Sequence, residues 1–351
     1  MQKGDIGHLI NAARRVFNFG RIALRELARG FIKAAYFQFG LNFQSLGSLL
    51  PTSCRAKGRI IATHRHPTDP KMAEVIAFIG GGNMAGSLIG GLLAGGHPSD
   101  HILVAEPDTA RASALADKYS IKTASSAAAI VSSASTLVLA VKPQQMQAAL
   151  QGLEPKAGTT VVSIAAGIRV SFLQRALGAS LDYVRSMPNT PALYGCGVSG
   201  LFAPQGTSEQ ARARAERVLG AAGTICWLDN ESDLDAVTAV SGSGPAYFFL
   251  MVEAMRDAGT ALGLTPDTSA MLAAQTCIGA ASMIQNSGID VAQLRAQVTS
   301  KGGTTQAALE SLEAAGLRTI MAKALTAAQR RSMELGDALE AEAPSITPES
   351  N

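Results

Sequence analysis

Three small residues raise the first chemical question. Gly80, Gly82 and Ala85 stand in a G-x-G-x-x-A spacing, between an apolar run at residues 75–79 and a stretch at residues 84–93 with helical apolar periodicity. Glycines at such a strand-to-helix turn can cradle a pyrophosphate. Gly80 permits the tight turn, Gly82 lets the backbone approach the anion with no side chain between, and Ala85 lets the helix pack closely on the strand. The amides of Asn83 and Met84 would face the phosphates at the positive end of the helix dipole. A lone glycine turn is equally a packing device, so the spacing gains force only from its surroundings.

A second constellation is "VTSKGGTTQAALESL" at residues 298–312. Gly302 and Gly303 precede Thr304, Thr305 and a helical run, so amides and hydroxyls converge at a helix start. Such a cup suits a small carboxylate, each charge-assisted bond contributing about 1.5–3 kcal/mol. The plainer reading is N-capping by Thr304 or Thr305. Absences narrow the chemistry further. All five histidines (His8, His64, His66, His97, His101) lie in the first 101 residues, which excludes a Ser-His-Asp triad or an HExxH helix in the remainder. The four cysteines (Cys54, Cys196, Cys226, Cys277) have no metal-ligand or CxxC spacing and are too few for a disulfide framework, so no metal and a cytoplasmic home are expected.

The elements that must position these residues can be read next. "HILVAEP" supplies a second strand ending in Glu106, where an acid would accept the ribose hydroxyls of a dinucleotide. "STLVLAVKP" and "GTTVVSIAAG" are further buried strands, and strands alternating with helices imply an α/β fold with a Rossmann-like, doubly wound parallel sheet. Ligands bind at the carboxyl ends of such strands, which places Lys142, Pro143 and residues 165–167 along the crevice. "VRSMPNTP" adds Asn189 between Pro188 and Pro191, as a shaped crevice loop or simply a stiffened turn. After Trp227 strands disappear and Ala-rich helical periodicity runs almost to Leu339. Thr265 with Pro266 marks one helix start, and Ser171 with Gln174 forms a capping box in the sheet domain. The expected helices 304–315 and 318–339 are too rich in Ala and Leu to stand alone, which calls for a helical dimer interface.

The expected organisation is therefore a basic extension (1–72) outside the core, a dinucleotide domain (73–232), an all-helical dimerisation and substrate domain (233–340) and a disordered tail (341–351). The extension carries twelve Lys or Arg against three acids, leaving the body acidic at about −6. That body has no electrostatic footprint for nucleic acid. Ile10, Phe17, Leu24 and Phe31 recur every seven residues beside Arg14, Arg21, Arg25 and Arg29, a basic amphipathic helix. Met72, just ahead of the first strand, is the natural start of the core; a targeting sequence or a membrane-surface helix are the other readings of what precedes it. No membrane contact is expected of the core.

"VSGSGPAYFFLMVEAM" tests one reaction class. In β-hydroxyacid dehydrogenases a G-x-G-x-x-x-K-x-x-N helix carries the catalytic lysine, but here Phe248 and Met251 follow Gly242 and Gly244 at those positions. A reductase of hydroxyacids is disfavoured. "FIGGGNMA", "AVKP", "SIAAG", "MPNTP", "SGSGPAY" and "TSKGGTT" fall instead in the order and near the spacing of the pyrroline-5-carboxylate reductases, which the chain resembles from residue 75 to about 335. The resemblance implies reduction of 1-pyrroline-5-carboxylate to L-proline by a nicotinamide dinucleotide, in a homodimer that can assemble further. It puts cofactor contacts on Ile79, Gly80, Gly81, Gly82, Asn83, Met84, Glu106, Asp108, Ala140, Val141, Lys142, Pro143, Ile164 and Ala166, to which the crevice reading adds Asn189. It puts substrate contacts on Thr304, Thr305 and Ser300, with Gly302, Gly303 and Gln297 in the same loop, and on Glu231 reaching the ring nitrogen. Thr305 is the residue expected to matter most for turnover.

Two departures stand out: Gln297 where the family often has asparagine, and Lys301 where it usually has proline. The missing histidine is consistent with the implied reaction, because an N-protonated cyclic imine is already electrophilic and needs no strong side-chain acid. NADPH is the expected donor from the family's habit and from Arg111; the negative charge of Glu106 keeps NADH open. A reductase of another cyclic imine and a nonenzymatic nucleotide-sensing scaffold are the alternatives.

Overall fold

The computed structural model describes residues 74–341 and, ahead of them, the two-residue strand β1 (Ile60–Ile61). The amphipathic helix expected within residues 1–72 and the tail beyond residue 341 lie outside the described residues. Strand β2 (Ile76–Ile79) leads into helix α1 (Asn83–Ala94), followed by β3 (Ile102–Ala105), α2 (Thr109–Tyr119), β4 (Lys122–Ala124), the single turn α3 (Ala128–Val131) and β5 (Thr136–Leu139). The short α4 (Met146–Leu150), β6 (Thr160–Ser163), α5 (Val170–Leu177), β7 (Asp182–Met187), β8 (Gly197–Phe202), α6 (Glu209–Gly220) and β9 (Gly223–Trp227) complete the sheet domain.

The strands form one sheet in the order β1-β9-β8-β7-β6-β5-β2-β3-β4. From β4 to β7 every pairing is parallel; β8 runs antiparallel to β7, and β1 antiparallel to β9. The sheet is thus predominantly parallel, and departs from the expected uniform direction only on the far side of β7. Every residue of β2, β5 and β6 is buried, which is why those strands read as unbroken apolar runs. Alternation sorts them between two cores: Phe78 and Val138 face α1 and α6, while Ala77, Ile79, Leu137 and Leu139 face α4 and α5.

The helical part begins at α7 (Asp233–Val237) and passes through a π-helical turn, Thr238–Gly242, into α8 (Gly244–Ala261). Helices α9 (Pro266–Ser287), α10 (Val291–Gln297), α11 (Thr304–Ala314) and α12 (Leu317–Ala341) follow. Thr265 caps α9 as expected, its side chain accepting from the Thr268 amide with Pro266 in the first turn. The capping box expected at Ser171 and Gln174 does not form. Val170 is buried and already helical, so Arg169 is the N-cap and Ser171 sits within the first turn, where its hydroxyl donates to Glu340 Oε1 at 2.8 Å.

Large apolar side chains stand exposed on these helices, among them Phe248 (65%), Phe249 (70%), Ile278 (59%) and Ile320 (56%). Exposure on this scale marks an interaction face rather than an ordinary solvated surface. Among the described residues no helix is long and apolar enough to cross a membrane.

Candidate functional site

The sheet reverses its direction of growth at β2. The chain adds β3 and β4 on one side and then crosses to place β5 on the other, so the carboxyl ends of β2 and β5 open a crevice at the topological switch point. Two backbone bonds hold that opening: Gly80 N donates to Ala105 O at 2.9 Å, and Ala140 N to Ile79 O at 2.8 Å. Gly80 has φ +96°, and a Cβ there would lie 2.9 Å from Ala140 O, so the turn tolerates no side chain. Gly82 is different. It is the extended N-cap of α1, and a Cβ added there meets nothing within 4 Å.

The amides of Asn83, Met84 and Ala85 precede the first pairing at this helix start, Gly86 N to Gly82 O at 2.9 Å. An open glycine beside unpaired amides at a positive helix end fits the pyrophosphate of a dinucleotide. A side chain at Gly81 would displace Leu115 on α2, since a Cβ there would lie 2.5 Å from Leu115 Cδ1.

Glu106 also bonds within the protein. It is 5% exposed and both carboxylate oxygens are engaged: Oε2 accepts from Gly81 N at 2.9 Å and Arg111 Nη1 at 3.2 Å, and Oε1 from Asp108 N at 3.0 Å. These bonds staple the glycine turn to the loop after β3. The spacing located the acid correctly but could not show that neighbouring amides take it first. Asp108 caps α2 through its bond from Arg111 N, and Arg111 Nη2 lies 3.5 Å from Asp108 Oδ2, leaving the guanidinium half-exposed over this rim.

Along the far wall Ala140 and Val141 are partly buried, Lys142 is exposed, and Pro143 opens a 3-10 turn, Pro143–Gln145. Ile164 N donates to Leu139 O at 3.2 Å, and Ile164 and Ala166 stay partly open on either side of buried Ala165. Asn189 does not present its amide to the crevice. Its Nδ2 donates to Ser241 O at 3.1 Å and its Oδ1 accepts from Val198 N at 2.9 Å, so it ties the β7–β8 turn to the π-helical segment.

In the helical part, Gln297 ends α10 and Ser300 lies within the connection to α11. Gly303 is the N-cap of α11 and makes no side-chain cap bond, so Thr304 and Thr305 are the first two helical residues and neither caps the helix. The Gly302 amide, expected to be free for a ligand, is taken by Gln306 Oε1 at 2.7 Å, and Gly303 N by Ser300 O at 3.0 Å. Gln306, at the third helical position, was the legible signal for this, because a glutamine there commonly reaches back over the cap. The amides of Thr304, Thr305 and Gln306 precede the first helical pairing, Ala307 N to Gly303 O at 3.2 Å.

Glu231 is likewise committed within the protein. Its Oε1 accepts from Val170 N at 2.9 Å and from Arg185 Nη1 at 3.1 Å, where the arginine side chain is 7% exposed. Through Oε1 the acid offsets the charge of a buried arginine on β7, while its side chain stays 27% exposed. Glu231 therefore positions the start of α5. His97, buried just beyond α1, takes no part in this machinery, and burial pushes its pKa down. Among the described residues, no hydrogen bond or ion pair links the loop at residues 297–305 to the crevice loops.

Comparisons with known proteins agree with this two-part architecture. Residues 231–335 match the family model for pyrroline-5-carboxylate reductase dimerisation, and residues 75–167 match that for NADP oxidoreductase, coenzyme F420-dependent. The chain is 48% identical over 266 residues to pyrroline-5-carboxylate reductase of Pseudomonas aeruginosa, covering 75% of this chain and 97% of that one. It superposes on the pyrroline-5-carboxylate reductase structure from Coxiella burnetii with TM-score 0.72 and 38% identity, covering 75% and 98% of the two chains. The Plasmodium falciparum pyrroline carboxylate reductase structure with NADP bound superposes with TM-score 0.66 and 28% identity, covering 75% and 98%. The chain belongs to the pyrroline-5-carboxylate reductase family, the NAD(P)H-dependent oxidoreductases that complete proline synthesis.

Proposed function

We propose that this chain reduces 1-pyrroline-5-carboxylate to L-proline with NADPH, holding the dinucleotide at residues 79–84, 106–111, 140–143 and 164–166 and the substrate carboxylate at Thr304 and Thr305. The observation that carries the reading is the open Gly82 at the start of α1, beside amides with no helical partner. When bound, the dinucleotide supplies the hydride. The protein's own residues position and orient: Gly80 sets the turn, Glu106 fixes the rim, and the α11 amides with the Thr304 and Thr305 hydroxyls anchor the carboxylate end of the ring. No side-chain acid is needed, because the imine nitrogen arrives protonated.

The preference for NADPH rests on Glu106 and Arg111. Two amides and a guanidinium already engage the carboxylate, while Arg111 is half-exposed and can turn to a 2′-phosphate. Arg111→Ala is expected to lower kcat/KM for NADPH about fivefold and to leave NADH nearly unchanged, since a solvent-exposed charge pair contributes at most about 1 kcal/mol. A loss shared equally by both dinucleotides would place the 2′-phosphate elsewhere.

We place residues 73–232 as the dinucleotide domain, residues 233–340 as the dimerisation and substrate domain, residues 1–72 outside the catalytic core, and the protein in the cytoplasm. The exposed apolar faces of α8, α9 and α12 support a homodimer in which a second copy covers them. The test of the reaction is reduction of NADP⁺ and NAD⁺ by proline at alkaline pH, with the reverse reaction on pyrroline-5-carboxylate. Turnover in both directions is expected, faster with the 2′-phosphorylated cofactor. Dinucleotide binding without turnover would retain the cradle and redirect the search to other cyclic imines or to a sensing role.

A further inference from the structure

The matched dimerisation region ends at residue 335, yet α12 continues to Ala341 and turns its last residues onto the sheet domain. Gly336 is buried there, against the loop at residues 164–169 that follows β6. The approach is close enough for backbone to meet backbone: a Cβ on Gly336 would lie 3.5 Å from Gly167 O and 3.5 Å from Arg169 Nη2. Gly167 in turn has φ +77°, and a Cβ there would lie 3.1 Å from Leu339 Cδ1 and 3.4 Å from Gly336 N.

Polar bonds flank this contact on both sides. Arg169 Nη2 donates to Asp337 Oδ1 at 2.5 Å, and Glu340 Oε1 accepts from Ser171 Oγ at 2.8 Å and Arg175 Nη2 at 2.5 Å. Glu340 Oε2 is buried with no partner among the described residues, an unfavourable state that is tolerated only where the surrounding contacts over-determine it. One turn earlier, Ser332 Oγ donates to Asp235 Oδ1 at 2.6 Å, both residues buried, so α12 is fixed to α7 before it reaches the loop. On the loop's other flank, Glu231 holds Val170 N.

We infer that Gly336, Asp337, Leu339 and Glu340 form a brace that sets the conformation of the loop at residues 164–169 and, through Ile164 and Ala166, the fit of the bound dinucleotide. The inference rests on the crevice reading above, which puts those two residues on the cofactor wall. The brace residues are positioning residues: none touches a ligand, and they act through a loop whose shape depends on a backbone-to-backbone contact. The end of a helix that builds the dimer face thereby also controls the cofactor site of the same chain.

The test is to measure the NADPH dissociation constant directly by fluorescence, beside kcat, both KM values, melting temperature and dimer mass. Gly336→Val adds two γ-methyl groups beyond a Cβ that would already touch Gly167 O and Arg169 Nη2 at 3.5 Å, and is expected to weaken NADPH binding about fivefold or more, with dimer mass unchanged and KM for pyrroline-5-carboxylate within about twofold, since small displacements at a positioned site are amplified. A second set covers the case in which that variant fails to fold: Arg169→Asp and Asp337→Arg are each expected to weaken NADPH binding about two- to threefold, and the double exchange to restore it, because contacting charges couple. A folded, dimeric Gly336→Val chain with unchanged NADPH affinity overturns the inference, as does a double exchange no better than its parents. Because the dissociation constant needs no turnover, failure of the proposed reaction would register separately.

Discussion

Gly82→Val is expected to weaken dinucleotide binding by about a hundredfold while leaving the melting temperature of the chain unchanged. The two halves of this result come from the same geometry. Gly82 is extended, at φ −69° and ψ −178°, a conformation valine adopts without strain, and a Cβ there meets no protein atom within 4 Å. In the proposed site the pyrophosphate approaches the amides of α1 through the open space above Gly82, and a branched side chain fills it. Losing two charge-assisted bonds of about 1.5 kcal/mol each corresponds to roughly two decades in affinity.

Gly80→Val is the control that separates cradle from fold. With φ +96° and a Cβ 2.9 Å from Ala140 O, it forces the ends of β2 and β5 apart and lowers stability and binding together. Thermal unfolding and fluorescence titration of both variants with NADPH distinguish the cases. Wild-type affinity in Gly82→Val would mean the anion does not sit at this helix end.

The contrast between these glycines also explains what could be read from the residues and what could not. The strand-turn-helix at residues 75–94 was legible because its strand is buried on both faces and so spells a continuous apolar run, and because the glycine spacing has a backbone cause. The helical half was legible from its period, and Thr265 with Pro266 from cap chemistry. Glu106, Asn189 and Glu231 have intraprotein partners that their spacing does not reveal. In each case the partner is a backbone amide or carbonyl, or an arginine, brought near by tertiary structure: Gly81 for Glu106, Val198 and Ser241 for Asn189, Arg185 for Glu231. A sequence displays side-chain types at intervals, but not which backbone group the fold leaves needing a bond. The brace from α12 was invisible for the same reason, since Asp337 and Glu340 read as an ordinary solvated helix end while their partners lie more than 160 residues away.

At the proposed carboxylate cup, side-chain loss and stability should part company even more cleanly. Thr305→Ala is expected to raise KM for pyrroline-5-carboxylate, or lower kcat, by about tenfold or more, the loss of one bond to an anion. Because Gly303 makes the cap and Thr305 is the second helical residue, its hydroxyl does no capping work; alanine is also the better helix former. The variant should therefore melt at or slightly above the wild-type temperature while losing activity. Thr305→Ser, which keeps the hydroxyl, should recover most of the turnover, whereas NADPH affinity should be the same in all three proteins. Kinetics of Thr305→Ala indistinguishable from wild type would remove this residue from the site and leave the carboxylate to Thr304 and the amides of α11. A loss matched by a fall in melting temperature would instead make Thr305 a structural residue of the helix start, and the anchoring role would pass to the same neighbours.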